Sequence, residues 1–145
     1  DGSQKEEIQS YINQKGLASQ ITLKGKIPNK DVPSAIASFD VFVVLSQLDS
    51  ESFGVAAVEA MAMGKAVVAT DVDGFKEVIS NEKTGIIVSR HSVEDAEKAI
   101  LKVALDPTYR TNLGKNGRKR VEENYDWDKN VNTMLKLYEK MDGII

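Results

Sequence analysis

Two glutamates, Glu51 and Glu59, flank the start of a strongly apolar segment and are the first candidates for chemistry in this sequence. Between Phe53 and Met63, Glu59 is the only charged residue. A helix that is apolar on nearly all sides is normally buried, and a buried carboxylate without hydrogen-bond donors is costly. We therefore expect Glu59 to meet donors, which are either ligand hydroxyls or the ammonium group of a structural ion pair. The candidate partners for such a pair are Lys24, Lys26 and Lys65.

Two glycines stand where a helix is expected to begin. Gly54 lies in the first turn of the apolar segment, and Gly74 follows Asp73 ahead of a short helix. A glycine there lets a ligand approach the backbone closely, and bare amides at a helix start suit a diphosphate. The alternative is structural: Gly54 admits a neighbouring side chain, and Asp73-Gly74 is a simple turn.

The predicted strands and helices around these residues alternate along the chain, which predicts an α/β domain with a parallel sheet covered on both faces. Ligands of such sheets bind beyond the carboxyl ends of the strands. The segments expected there are 24–28, 46–54 and 70–75. The predicted strands are 21–25, 41–45, 66–70 and 84–88. The predicted helices are 4–15, 33–39 with Asp31 as cap, 53–63, a short helix that follows the turn 71–74 and runs through Glu77 to Ile79, 93–105, 107–124 and 126–141.

Composition excludes several other classes of site. The 145 residues carry a net charge of −3, which disfavours a nucleic-acid binder. With no cysteine and one histidine there is no disulfide, no thiolate zinc site and no multi-histidine metal site. Asp71 and Asp73, which follow the predicted strand 66–70, are assigned to a turn, and no metal is expected at the site. His91 is interpreted as a loop residue, Trp127 as a packing residue, and the basic run 115–120 as a solvated helix face, with a phosphate or membrane-surface site as its alternative.

The string from Glu51 to Thr70, ESFGVAAVEAMAMGKAVVAT, resembles the E-x7-E signature of retaining group 1 (family-four) glycosyltransferases of the GT-B fold. The resemblance extends over essentially the whole chain. Further matching positions are Gly25, Ser46, Glu77-Val78-Ile79, Thr84-Gly85, Tyr125-Asp126-Trp127 and Leu137-Tyr138.

This resemblance implies that residues 1–145 form a single partial domain, the Rossmann-like, three-layer, C-terminal half of a GT-B enzyme. The domain would bind a nucleoside diphosphate sugar, with no further cofactor, for transfer to an acceptor hydroxyl with retention of configuration. Glu51 takes the catalytic position beside the donor sugar, and Glu59 accepts hydrogen bonds from the ribose hydroxyls. The implied donor-binding set is Lys26, Ile27, Ser46, Glu51, Ser52, Phe53, Gly54, Val55, Glu59 and Gly74.

Departures from the family pattern limit what this chain is expected to do by itself. Asp73 replaces a glycine, Lys76 replaces a proline, and the upstream basic pair that neutralises the donor diphosphate is missing. The N-terminal acceptor domain, for a sugar or lipid-linked glycan, is also expected to be absent, so the isolated chain should be inactive. The final helix should then expose apolar positions. The resemblance implies a cytoplasmic protein, compatible with peripheral contact to a membrane.

Two alternatives remain open from the sequence. One is a sugar-nucleotide epimerase of the same architecture, and the other is a non-catalytic α/β module that binds a nucleotide or a partner. A receiver-like module is disfavoured because Asp40 precedes its strand, whereas a receiver needs its aspartate at the carboxyl end.

Overall fold

The computed structural model describes residues 2–48 and 53–142. Its contacts divide the chain into two compact units, residues 1–33 and 34–145.

The first unit contains helix α1, Lys5–Gln14, which the spacing of its apolar residues predicts. The predicted strand at 21–25 is wrong, because residues 21–28 have no regular secondary structure. The amide of Ile21 instead donates a turn hydrogen bond to the carbonyl of Leu17 at 3.0 Å. An alternating pattern does not by itself supply the neighbouring strand that a β ladder requires. A 3₁₀ turn, Asn29–Asp31, then leads directly into α2, Val32–Ala37.

The second unit is built on a parallel sheet of strands β1, Val41–Val44, β2, Ala66–Thr70, and β3, Ile86–Val88. Their order in the sheet is β1-β2-β3, with Val41 opposite Ala66 and Val68 opposite Ile86. All five residues of β2 are buried, as expected for a central strand. The expectation that the run 41–45 is buried on both faces is wrong, since Val43 is 39% exposed. The cause is the position of β1 at an edge of this sheet.

Five helices follow the strands or connect them, and three of their starts are confirmed by side-chain caps. Ser92 Oγ accepts a hydrogen bond from the amide of Asp95 at 3.1 Å, and Asp106 Oδ1 accepts one from Tyr109 at 2.8 Å. Asp126 Oδ1 does the same for Lys129 at 2.9 Å. The helices are α3, Val55–Ala62, α4, Asp73–Val78, α5, Val93–Leu105, α6, Pro107–Asn124, and α7, Trp127–Asp142.

The core lies between the sheet and the helices, giving the predicted three-layer α/β arrangement. One face of β2 and β3 packs against α5 and α6, whereas α3 lies against β1, β2 and α6. The residues of the first packing layer are Ala66, Val68, Ile86, Val88, Ala96, Ala99, Val103 and Leu113.

Helix α7 is exposed along most of its length. Trp127 is 78% exposed, so its interpretation as a packing residue is wrong. The predicted exposure of apolar positions in this helix is confirmed at Met134, Leu135, Leu137, Tyr138 and Met141. Across the described residues, no helix has both the length and the apolar character needed to cross a bilayer.

Candidate functional site

The carboxyl ends of β1 and β2 place several predicted donor-binding residues within the second unit. They are Ser46, Phe53, Gly54, Val55, Glu59 and Gly74. Glu51 and Ser52 lie outside the described residues. Lys26 and Ile27 belong to the first unit, where Lys26 is exposed and Ile27 half-buried.

Helix α3 begins at Gly54, which adopts the left-handed conformation with φ +72° and ψ +42°. Its carbonyl accepts hydrogen bonds from the amides of Ala57 at 2.9 Å and Val58 at 3.2 Å. No side chain caps this helix start. The first N–H groups of a helix have no partner within the helix, so this end can receive an anion.

The side of Gly54 that lacks a side chain faces Phe75. A Cβ placed on Gly54 would lie 2.6 Å from Cδ1 of Phe75 and 3.5 Å from the carbonyl oxygen of Gly74. The structural alternative is therefore confirmed for this face of Gly54, because a protein ring occupies it. The same contact brings Gly74 next to the start of α3. The prediction that Asp73-Gly74 is a turn ahead of a short helix is wrong, because α4 begins at Asp73 and includes both residues.

Glu59 is exposed, which overturns the expectation of a carboxylate inside a buried helix. Only one face of α3 is buried, at Ala57, Ala60 and Met61. Val55 lies one turn before Glu59 on the same exposed face, opposite to these buried residues, and is 58% exposed. Small alanines allow such a helix to be apolar in sequence and still have an accessible side.

The structural alternative for Glu59 is an ion pair with one of three lysines, and Lys65 does not form it; its Nζ donates instead to the carbonyl of Ala37 at 2.7 Å. Within residues 34–48 and 53–142, the Glu59 carboxylate has no hydrogen bond or ion pair. A ligand role for Glu59 therefore rests on its accessibility and its place on α3.

Phe53 and Ser46 both make contacts that hold the site in place. The ring of Phe53 packs edge-to-face on Tyr125, with ring centroids 5.5 Å apart and an interplanar angle of 82°. The carbonyl of Ser46 accepts a hydrogen bond from the hydroxyl of buried Thr70 at 2.5 Å. This tether joins the ends of β1 and β2, and the signal for it in the sequence is a threonine at the end of an apolar strand.

A second feature at the carboxyl ends of the strands, which was not predicted from the sequence, is the ion pair between Asp71 and Arg90. Asp71 Oδ1 accepts hydrogen bonds from the backbone amide of Arg90 at 3.0 Å and from its Nε at 3.2 Å. The pKa of the Asp71 carboxyl is lowered, chiefly by the backbone N–H bond and then by the guanidinium. The pair joins the loops that follow β2 and β3.

A small cavity of about 130 Å³ lies at the carboxyl ends of the strands. Gln47, Thr70, Ser89 and His91 supply polar groups to its lining. His91 is exposed and has a positive φ of 63°, which fits its interpretation as a loop residue. Among residues 2–48 and 53–142, no group of three or more acidic or histidine side chains is arranged to hold a metal ion.

Comparison with known proteins identifies the family. Residues 1–120 match the family "Glycosyl transferases group 1". A D-inositol 3-phosphate glycosyltransferase of Paenarthrobacter aurescens is 32% identical over 145 residues, covering 99% of this chain and 35% of that protein.

Solved structures show the same fold. Sucrose-phosphate synthase from Thermosynechococcus elongatus superimposes with a TM-score of 0.86 at 30% identity, covering 99% of this chain and 36% of that one. HepE of Anabaena, in complex with UDP-glucose, has a TM-score of 0.84 at 22% identity over 96% of this chain and 38% of its own. The chain thus spans little more than a third of the length of these proteins. Because the family match extends over most of the sequence and the solved structures share the three-layer parallel fold, the chain belongs to the group 1 glycosyltransferase family.

Proposed function

We propose that this chain is the donor-binding part of a retaining glycosyltransferase that uses a nucleoside diphosphate sugar. The observation that carries the proposal is the arrangement on α3. Its uncapped start at Gly54 lies one turn before the exposed Glu59 carboxylate, on the element that follows the carboxyl end of β1. An anion-binding helix end and a hydrogen-bond acceptor at this spacing suit a diphosphate and the hydroxyls of its ribose.

In the proposed reaction, the bond between the sugar C1 and the diphosphate oxygen breaks, and C1 forms a bond to an acceptor oxygen on the same face. The proton of the acceptor hydroxyl goes to the leaving diphosphate, so that atoms and charge balance. The amides at the start of α3 stabilise the negative charge that develops on the leaving diphosphate. Glu59 holds the ribose, and Glu51 bonds the hydroxyls of the donor sugar, as the E-x7-E resemblance implies.

The HepE complex supports the choice of donor, because a protein of the same fold holds UDP-glucose. Lys26 and Ile27 are proposed to contact the base, and Ser46, Ser52, Val55 and Gly74 to complete the donor site. The acceptor, a sugar or lipid-linked glycan, is proposed to be bound by other parts of the enzyme, which acts in the cytoplasm or at the surface of a membrane. The chain alone is therefore proposed to bind donor without turnover.

Calorimetric titration of the chain with nucleoside diphosphates and their sugars tests this function. Glu59→Gln replaces charge-assisted hydrogen bonds to the ribose by weaker neutral ones, so we expect it to cost about 1–3 kcal/mol of donor binding. Glu97→Gln, the same change at an exposed position of α5, serves as the matched control and should leave affinity unchanged.

Equal donor affinities of a folded Glu59→Gln variant and the unchanged chain would rule out the role given to Glu59. Absence of saturable binding with every diphosphate would argue against the donor site as a whole. In an enzyme that includes this domain, product analysis separates sugar transfer from epimerisation of the donor.

A further inference from the structure

A groove of about 350 Å³ lies at the end of the strands opposite to the candidate donor site. Asp40 and Lys65, which line it, immediately precede β1 and β2, so the groove lies at the amino ends of these strands. Its other wall is helix α6, which contributes Arg110, Lys115 and Arg118. Among the described residues, this groove is thus lined by four basic side chains and by a single carboxylate, that of Asp40.

The wall is held in place by a very close contact between backbones. A Cβ on Gly114 would lie only 2.1 Å from the carbonyl oxygen of Gly64, so α6 packs directly on the turn that precedes β2. Lys115 and Arg118, three positions apart, project from the same side of that helix. Because Gly114 and Lys115 are adjacent, this contact fixes the position of the Lys115 backbone beside the groove.

Two of the four cations are positioned by neutral groups that leave their charge uncompensated. Lys65 Nζ donates to the carbonyl of Ala37 at 2.7 Å. Arg110 donates to the carbonyls of Val103 and Ala104 at 3.1 and 2.8 Å, at the end of α5. Side chains ordered in this way lose little further freedom when a ligand arrives.

The remaining two cations differ in their partners. Arg118 Nε pairs with Glu122 at 2.8 Å. Lys115 is exposed and forms no hydrogen bond or ion pair with the described part of the chain. Its ammonium is therefore available for an anion in the groove.

We propose that this groove binds a phosphate group. Convergent arginine and lysine donors form charge-assisted hydrogen bonds to phosphate oxygens, and the local positive charge contrasts with the chain's net charge of −3. The groove lies apart from the donor site, so this assignment stands independently of the proposed function. A free phosphate and the headgroup of an anionic lipid present the same chemistry, and the experiment distinguishes them.

The first arm titrates the 145-residue chain with inorganic phosphate and follows backbone amide signals by NMR, against sodium chloride of equal ionic strength. We expect saturable shifts around Lys65 and Lys115. Lys115→Gln should weaken binding about tenfold, since it removes one charge-assisted bond. Lys119→Gln is the matched control, because it removes the same charge from a side chain that does not line the groove and pairs with Glu123 at 3.8 Å.

The second arm measures co-sedimentation with phosphatidylcholine vesicles that contain or lack phosphatidylglycerol. Retention only by the anionic vesicles, lost in Lys115→Gln and kept in Lys119→Gln, identifies a lipid headgroup as the source. Saturable phosphate binding with the same variant pattern identifies a free phosphate. If sodium chloride reproduces the shifts, or both variants behave alike in both arms, the effect is general charge screening and the proposal is overturned.

Discussion

Gly54 shows how one residue serves both the fold and the candidate site. Its positive φ is a conformation that favours glycine, and its missing side chain leaves space for the ring of Phe75. The ring in turn belongs to α4, next to Gly74. The backbone at the start of α3 is therefore fixed by packing before any ligand binds.

Substitution of Gly54 by alanine should destabilise the chain more than the same change at Gly64. Both residues have φ near +70°, but a Cβ meets nothing within 4 Å at Gly64 and Cδ1 of Phe75 at 2.6 Å at Gly54. Left-handed strain costs about 1–2 kcal/mol at either position, and overpacking adds about 1–3 kcal/mol at Gly54 alone. Urea unfolding of both variants measures the difference, and equal losses would show that Phe75 moves aside freely.

Glu82 is the centre of a charged cluster on the surface. Its Oε2 accepts hydrogen bonds from Lys102 Nζ at 2.7 Å and from the hydroxyl of Tyr109. The Lys102 ammonium also lies 4.7 Å from the centroid of the Tyr109 ring. These hydrogen bonds, first that of Lys102 and then that of Tyr109, lower the pKa of the Glu82 carboxyl from its ordinary 4.5.

A lowered carboxyl pKa stabilises the fold above the ordinary value, and that contribution is lost as the pH falls through the folded-state pKa. Glu82→Gln should therefore reduce the free energy of unfolding by about 0.5 kcal/mol at neutral pH, a value reduced for solvent screening. The deficit should vanish in acid, below the folded-state pKa. Denaturant unfolding across this pH range checks it, with Glu97→Gln as the unpaired control; a deficit independent of pH would assign the effect to packing.

At the scale of elements, two glycines of α6 determine how closely this helix approaches its neighbours. A Cβ on Gly114 would overlap the carbonyl oxygen of Gly64, whereas one on Gly117 would lie 3.1 Å from the carbonyl of Thr84 and 3.4 Å from Cγ of Met61. The first contact is between two backbones, so neither partner can rotate away. The second includes a flexible methionine side chain.

Gly114→Ala should therefore destabilise the chain by about 1–3 kcal/mol, because the helix must move away from the turn before β2. Gly117→Ala should change stability by less than about 1 kcal/mol, since alanine's higher helix propensity offsets the tight contact. Thermal or urea unfolding of the two variants ranks them. The reverse order would mean that the turn at Gly64 yields more easily than Met61 repacks.

At the scale of the whole molecule, α7 exposes a row of apolar side chains. Met134, Tyr138 and Met141 recur at the spacing of one helix face, and each is exposed. Contiguous apolar surface of this kind favours association.

We expect the 145-residue chain to self-associate through α7, with a mass that falls on dilution in size-exclusion chromatography with light scattering. The double variant Met134→Lys with Tyr138→Lys should be monomeric. Asn132→Lys adds charge to an exposed polar position of the same helix and should leave association unchanged. A chain that is monomeric at every concentration would contradict this expectation.

Features that depend on a few neighbouring residues could be predicted from the amino-acid sequence. Ser92, Asp106 and Asp126 cap helices because a short polar side chain reaches an amide three positions later. The alternation of strands and helices predicted the layered fold, and the motif around Glu51 and Glu59 indicated the family.

Features that depend on contacts between residues far apart in the chain could be identified only once the elements were packed together. Apolar periodicity cannot show how many sides of a helix are covered, so Glu59 was predicted to be buried and is exposed. Residues 21–25 alternate like a strand but have no ladder, because pairing requires a partner that local sequence does not specify. The contacts of Gly54 with Phe75 and of Gly114 with Gly64 are of the same kind. Each joins residues far apart in the chain, and such contacts arise only when the elements pack together.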